Sequence, residues 1–324
     1  MNRLASVLWA FSLLCAGAVN LAQAQDYPSH PIKFILPQPA GGAVDLIART
    51  LGERLSEQMK QPVVVENRPG ANGSIAATDV ARSTPDGYTL FVAVDTNLVV
   101  NPSLYPNLSY DPFRDFAPIS VLARLPLVLV ANPQVQANNV RELIAYAKAN
   151  SGKLNYASIG LGTQQHLGME LFKLMTKTDI NQVEYRGTAA AMTDVMAGNV
   201  DIMFTGTPSA KGMSEGGKLK LLAVTGKTRS PLLPDVPTVE ESGVPGFTLS
   251  GWFGILAPAK TPKPILNRLT AEVHKGTADP TFVQKMNVQG LEVIGSTPAE
   301  MLALMQSDTK KWAEVIRLTG VKIQ

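Results

Sequence analysis

Three short stretches hold the residues whose types and spacing could grip a small molecule. The first is Pro-Gln-Pro-Ala-Gly-Gly, Pro37 to Gly42, which follows the apolar run Ile32–Leu36 and leads straight into a helical pattern containing Asp45. Paired glycines let the backbone turn sharply or approach a ligand closely. The helix behind them presents free N–H groups and the positive end of its dipole to the same place. Gln38, Ala40, Gly41, Gly42 and Asp45 could therefore form an anion seat, although they serve a plain strand-to-helix turn equally well. The second stretch, Gly160 to His166, repeats this logic. Strand Asn155–Ser158 enters a turn at Gly160 and Gly162, and Thr163 caps a helix running through Lys173. Gln164, Gln165 and His166 then fall in the first turn of that helix. In the third stretch, Tyr185 to Thr207, Gly187 and Thr188 open a helix that ends at Gly198. A short strand then delivers Thr205, Gly206 and Thr207 to a strand end, where open α/β sheets place ligands. The three threonines also fit as caps and turn residues.

Two helix N-termini facing one another across a cleft suit a carboxylate held by oriented dipoles. A reversible carrier benefits from that arrangement, because an arginine clamp would hold the acid tightly and slow its release. Catalytic readings fare worse. Outside the leader the chain has only His30, His166 and His274, of which His166 alone lies near a candidate site. There is no Gly-x-Ser-x-Gly elbow, no His pair spaced for zinc, no acidic cluster for calcium and no Walker loop. Gly160-Leu-Gly162 lacks the third glycine of a dinucleotide fingerprint. The expectation is a protein that is not an enzyme, with no metal and no cofactor.

The first residues address the compartment. Arg3, the apolar run Leu4–Val19 and the Ala-Gln-Ala of Ala22–Ala24 read as a signal peptide over residues 1–24, cleaved near Ala24. The run is short for a membrane span and ends in small residues. Cys15, the only cysteine, would leave with the leader, so neither disulfides nor a thiolate site are available. The 300 residues that remain are ample for one or two domains. Their formal charge of +2, without runs of Lys or Arg, and the 6% aromatic content of the chain argue against a nucleic-acid partner.

Short apolar runs alternate with amphipathic stretches nearly throughout. Strands are expected at Ile32–Leu36, Val63–Glu66, Thr89–Val94, Leu125–Ala131, Asn155–Ser158, Gln182–Glu184, Ile202–Phe204, Leu219–Thr225, Trp252–Ala257 and Glu292–Ile294. Between them, Asp45–Met59 carries Leu51, Leu55 and Met59 on one face. Asn139 with Glu142 starts another helix, and Thr297-Pro-Ala-Glu300 is a capping box for the last one. Such alternation predicts a mostly parallel sheet covered on both faces. Ten strands fit better in two lobes than in one open sheet. The extended stretches Val121–Pro133 and Leu249–Pro258 would be the crossovers, giving residues 25–124 with 252–324 as one lobe and 125–251 as the other.

At this level of detail the chain resembles a known family. "PQPAGGAVDLIAR", "PVVVENRPGANGSIAA", "PDGYTL", "NPSLYPNLSYDPFRDFAPI", "GKLNYASIGLGTQQHL", "LLPDVPTVEESGVPGF" and "WFGILAPAKTP" occur in the order seen in the solute receptors of tripartite tricarboxylate transporters, the Bug proteins. The resemblance covers roughly Tyr27 to Gly320. It implies a two-lobed periplasmic-binding-protein fold of the second class, each lobe a doubly wound sheet flanked by helices, closing on one small organic acid. It implies delivery to a membrane permease of one large and one small subunit, by a monomeric receptor in the periplasm. The family's pocket maps onto Gln38–Gly42 with Asp45, onto Gly162–His166, onto Tyr185, Gly187 and Thr188, and onto Thr205–Thr207. Gln38 stands where relatives commonly have Phe, Gln165 where they often have Ser or Thr, and Thr205-Gly206 where they usually have Asp-Asn. Without that aspartate, a plain mono- or dicarboxylate, aromatic ones included, fits better than an amino acid. A ligand sensor for a membrane kinase would share the same fold and pocket, and a secreted hydrolase would need a nucleophile–base pair that the sequence does not offer.

Overall fold

The computed structural model describes residues 27–321, so the expected leader and its cleavage point lie outside the described residues. Two sets of parallel strands form the frame. In the first, β1 (Ile32–Leu36), β2 (Val63–Asn67) and β3 (Thr89–Val94) alternate with α1 (Ala43–Met59) and α2 (Ser74–Ala81). A π-type turn over Thr96–Val100 then runs into the short helix α3 (Asn101–Leu104). In the second, β5 (Asn155–Ser158), β6 (Asn181–Glu184) and β7 (Ile202–Gly206) alternate with α5 (Gln164–Thr176), α6 (Thr188–Ala197) and α7 (Thr207–Glu215). Between the sets lies β4 (Phe116–Ala131), followed by α4 (Val140–Ala149). After them come β8 (Lys220–Val224), β9 (Ser250–Pro258), α8 (Lys263–Ala278), α9 (Pro280–Val288), β10 (Glu292–Val293) and α10 (Pro298–Thr319).

The strand order is β2-β1-β3-β9-β4-β7-β5-β6, with β8 and β10 also bonded to β4. Parallel pairing holds within β2-β1-β3 and within β6-β5-β7. Every pair made by β4 and β9 is antiparallel, so the sheet is mixed where the alternation suggested it would be mostly parallel. The reason is local: β9 arrives from the second set through the long irregular segment 226–249 rather than through a helix, and an antiparallel partner needs no crossover. Strand β4 is also longer than its apolar core, beginning nine residues before Leu125. Pro118 and Pro126 hide this in the sequence, because proline usually marks a strand's end or edge. In the fold, Pro118 sits at a register shift opposite β9, and Pro126 at the point where β4 leaves β9 and takes up β7.

Each half closes its own core. In the first, Phe34, Ile47, Leu51, Leu55, Ile255 and Phe282 are fully buried together. Helix α1 owes its close seat on β2 to Gly52, since a Cβ there would lie 3.1 Å from Val63. It stops at Lys60 in the left-handed region, φ 54°. In the second half, Val128, Val130, Val195 and Met203 fill the face under α6 and α7. A third cluster runs through both halves along β4. Phe247 stacks near Phe204 and meets Phe172 edge-on, and Met301, Met305 and Trp312 of α10 join the same cluster. Burying a side chain of Phe size contributes about 1.5–3 kcal/mol. Thr297 caps α10 with its hydroxyl while Glu300 returns a bond to the Thr297 backbone, the capping box expected from the sequence. Thr297→Ala removes both hydroxyl contacts at an exposed helix start. It is expected to lower unfolding stability by about 1 kcal/mol in urea titration, with the glycine loops at the strand ends unaffected.

Candidate functional site

The carboxyl ends of both parallel sets carry the candidate residues. From the first set come the loop Pro37–Gly42 after β1, the loop Arg68–Gly73 after β2 and the turn at Asp95 after β3. From the second come Ile159–Thr163 after β5, Tyr185–Gly187 after β6 and the β7–α7 junction at Gly206 and Thr207. Loops at this edge are where α/β sheets hold ligands.

The first loop is shaped by its own acid. The Asp45 carboxylate accepts from the Gly41 N–H at 3.0 Å, from Arg49 Nε and Nη2 at 3.0 Å each, and from Asn67 Nδ2 at 3.1 Å. The Arg49 guanidinium beside it holds the carboxyl below the usual carboxylate range, and the Gly41 and Asn67 bonds act in the same direction. Asp45 is thus ionised, buried and satisfied by its own chain, and its work is to fix the turn. Asn67 also donates to the Gln38 carbonyl at 2.9 Å. Gly41, at φ 91°, takes a conformation that favours glycine, whereas Gly42 at φ −85° could be any residue. Gln38, Ala40 and Gly41 are exposed at the rim.

Against this loop packs one that the candidate residues did not include. Gly70, Ala71, Asn72 and Gly73 all have positive φ, from 46° to 130°, and for Ala71 and Asn72 that is strained. Asparagines hold the strain in place. The Asn72 carbonyl accepts from Asn97 Nδ2 at 2.8 Å and Asn101 Nδ2 at 3.1 Å, and Asn72 Nδ2 donates to Asn101 Oδ1 at 2.8 Å. A Cβ on Gly73 would lie 2.7 Å from Pro37 Cβ, so the two loops touch. The Pro-Gly and Asn-Gly dipeptides are turn signals in the sequence, but nothing local in them says that the turn lies beside the first glycine loop.

In the second half, Thr163 donates to the Gly160 carbonyl at 2.8 Å and caps α5 through the His166 N–H. The His166 ring accepts the Gly162 N–H at Nδ1, 3.1 Å, which places its proton on Nε2. Burial pushes its pKa below the ordinary histidine value, so the ring is neutral. Tyr185 Oη donates to Asp194 at 2.8 Å, and Gly187 stands at φ 149° with no neighbour within 4 Å of the place a Cβ would take. Gln165 and Thr188 are half-buried. Thr205 and Thr207 are wholly buried, and neither hydroxyl has a partner among the described residues. Gly206 between them has open space at its Cβ position and an ordinary φ of −69°.

The two halves meet through Gln164. Its Nε2 donates to both oxygens of Asp95, at 3.1 and 3.0 Å. Its side chain lies flat on β9, where a Cβ on Gly251 would be 1.5 Å from Nε2. Leu104 of α3 reaches the same loop, 2.5 Å from a Cβ on Gly162. Asp95 carries no motif in the sequence, and only the pairing of β3 with β9 brings it under α5. It is fully buried, and burial together with the nearby Asp308 pushes its carboxyl up to about 7, against the bonds from Thr96, Gln164 and Trp252. Among the described residues, no group of three or more His, Cys, Asp or Glu is placed to hold a metal ion, and no helix is long and apolar enough to cross a membrane.

Two strand sets joined by shared antiparallel strands, with glycine loops at their carboxyl ends, define a periplasmic-binding-protein fold. The chain belongs to the tripartite tricarboxylate transporter receptor family, whose family model matches residues 47–321. It is 36% identical to the protein BugT of Bordetella pertussis, over all of this chain and 99% of BugT. Two solved structures from Rhodopseudomonas palustris share the fold. Rpa4515, solved with adipate, superposes with a TM-score of 0.79 at 34% identity, covering 91% of this chain and 99% of that one. MatC, with bound malate, gives 0.75 at 31% identity, covering 90% and 100%. Members of this family are periplasmic solute-binding receptors rather than enzymes.

The raised Asp95 carboxyl has a definite sign in stability. A folded-state pKa above the unfolded value means that the native state holds its proton longer. The contribution is fully present below about 3.8 and is lost as pH rises through about 7. Asp95→Asn is therefore expected to gain on the wild type in chemical denaturation as pH rises from 4 to 8. A difference that stays flat over that interval contradicts the assignment.

Proposed function

We propose that the protein is an exported receptor that binds a small carboxylate between two lobes and delivers it to a tripartite tricarboxylate-type permease of one large and one small membrane subunit. The observation that carries this reading is where helix N-termini are left bare. Helices α1, α2, α6 and α7 each follow a parallel strand and begin on a glycine, Gly42, Gly73, Gly187 or Gly206, with no side-chain cap. Helices α4, α9 and α10, which do not follow a parallel strand, are capped by Asn139, Asp279 and Thr297. Two helices depart from the pattern: α5 follows β5 and is capped by Thr163, and α8 follows β9 and starts bare at Pro262. A glycine cap costs only about a few tenths of a kcal/mol per helix relative to Ser, Thr, Asn or Asp, so these starts remain stable while their N–H groups stay open to a bound anion.

Gly42 and Gly206 support the same reading from sterics. Neither has a backbone that needs glycine, and their Cβ positions meet nothing closer than 3.8 Å. Space for a ligand explains their residue type where backbone strain does not. Thr205 and Thr207, with unpartnered hydroxyls on either side of Gly206, supply further donors. Asp45 and His166, by contrast, are committed to their own loops. The carboxylate class is favoured because the donors are N–H and O–H groups, and because Rpa4515 and MatC were solved with adipate and malate. The hinge lies where β4 changes partner at Pro126 and where β9 begins at Ser250. It separates residues 25–124 and 252–324 from residues 125–251. The receptor works as a monomer in the periplasm after loss of residues 1–24, and closing on the acid forms the surface that the permease reads.

Two measurements test this. A thermal-shift panel of mono-, di-, tri- and aromatic carboxylates is expected to contain at least one acid that raises the melting point. If no acid does, the carboxylate reading fails. Gly42→Val and Gly206→Val are expected to melt within about 0.5 kcal/mol of the wild type. Both should lose solute affinity by tenfold or more in calorimetry. Wild-type affinity in both variants removes these loops from the site.

A further inference from the structure

On β9 the side chains alternate between two faces. Gly251 faces Gln164 and the solute loops, whereas Ser250 and Trp252 face the other way, toward α10. A cavity of about 430 Å³ opens on that second face and shares no residue with the candidate solute site. Its floor is the hinge itself: Arg124 of β4 stands directly across from Trp252, and Pro126 across from Ser250. Its walls come from both halves, with Lys227 and Thr228 following β8 on one side and Asp308 and Lys311 of α10 on the other.

The cavity lining carries three cations, Arg124, Lys227 and Lys311, against two acids, Glu292 and Asp308, a formal excess of one positive charge. Among the described residues, Arg124, Lys227 and Lys311 have no ion-pair partner within 4.0 Å. Lys311 bonds only the Thr248 carbonyl, at 2.9 Å, and lies over the Trp312 ring at 4.4 Å. Burial pushes its pKa down, so an anion beside it would relieve a standing cost. Two acids also line the cavity. Asp308 accepts the Trp252 indole N–H at 2.9 Å and its charge supports that of Lys311, while Glu292, pushed up by burial, stands across from Arg124, which pulls it back down.

We propose that this hinge cavity is a second binding site, which takes a small oxyanion, a phosphate or a carboxylate group, from Arg124, Lys227 and Lys311. Three cations around one cavity bind such a group by charge-assisted hydrogen bonds. Because Lys227 belongs to one half and Lys311 to the other, the bound anion touches both sides of the hinge and favours one hinge angle.

The test uses the leaderless protein and inorganic phosphate, titrated at constant ionic strength and followed by calorimetry. Saturable binding at about 10 mM or below is expected. It should weaken by about tenfold or more in an Arg124→Gln, Lys227→Gln double variant, which replaces two side chains that are not fully buried. Gly206→Val separates this site from the solute site: phosphate binding should survive that substitution even where solute binding is lost. Succinate added to Gly206→Val then identifies the source of the group. Displacement of phosphate supports the site as a carboxylate acceptor, and phosphate binding without displacement supports it as a phosphate site. Absence of saturable phosphate binding, undiminished binding in the double variant, or loss of binding in Gly206→Val overturns the proposal. Lys227→Gln alone provides the same reading if the double variant does not fold.

Discussion

Everything in this molecule hangs on the antiparallel pairing of β4 with β9. Neither strand belongs to one half alone. β4 bonds β9 from Phe116 to Pro126 and then bonds β7 and β8 from Leu127 onward, without a break in the chain. The hydrogen-bonded ladder therefore passes from one parallel set to the other through two extended segments rather than a packed domain interface. Extended backbone with prolines at the crossing can flex by small changes in φ and ψ while both cores stay closed.

Around that frame, charge is handled in two different ways. At the carboxyl ends of the parallel strands, ionisable groups are neutralised within the protein: Asp45 by Arg49 and backbone, His166 by burial as a neutral ring. What is left for a partner is main-chain N–H at bare helix starts and the two hydroxyls beside Gly206. In the proposed reading this produces a site that holds an acid without a fixed counter-charge, which suits rapid release. On the face of β9 toward α10, the cavity lining instead carries three cations, Arg124, Lys227 and Lys311, against the two acids Glu292 and Asp308.

The elements were largely legible because each is set by local rules. The strand Ile32–Leu36, the helix Val140–Ala149 with its Asn139 cap and the capping box at Thr297 appear where periodicity and cap residues put them. Two features were not legible. The first nine residues of β4 contain Pro118, which is tolerated because the register shifts there, and only the partner strand makes that shift possible. The antiparallel entry of β9 was masked for a similar reason: the irregular segment before it shows that a helix is missing but not where the chain goes next.

For the site, the sequence by itself determined which loops carry glycine, which helices lack a capping side chain, and so where free N–H groups must be. These follow from residue type and immediate neighbours, and they hold wherever the loop is placed. Only the tertiary structure decided which side chains remain free to act. It set Asn67 on Asp45, set Gln164 on Asp95 across the two halves, and brought the strained loop Gly70–Gly73 against Pro37. Those outcomes depend on strand order and register, which join residues up to about seventy positions apart. No local preference of a residue records which distant neighbour the sheet will hand it.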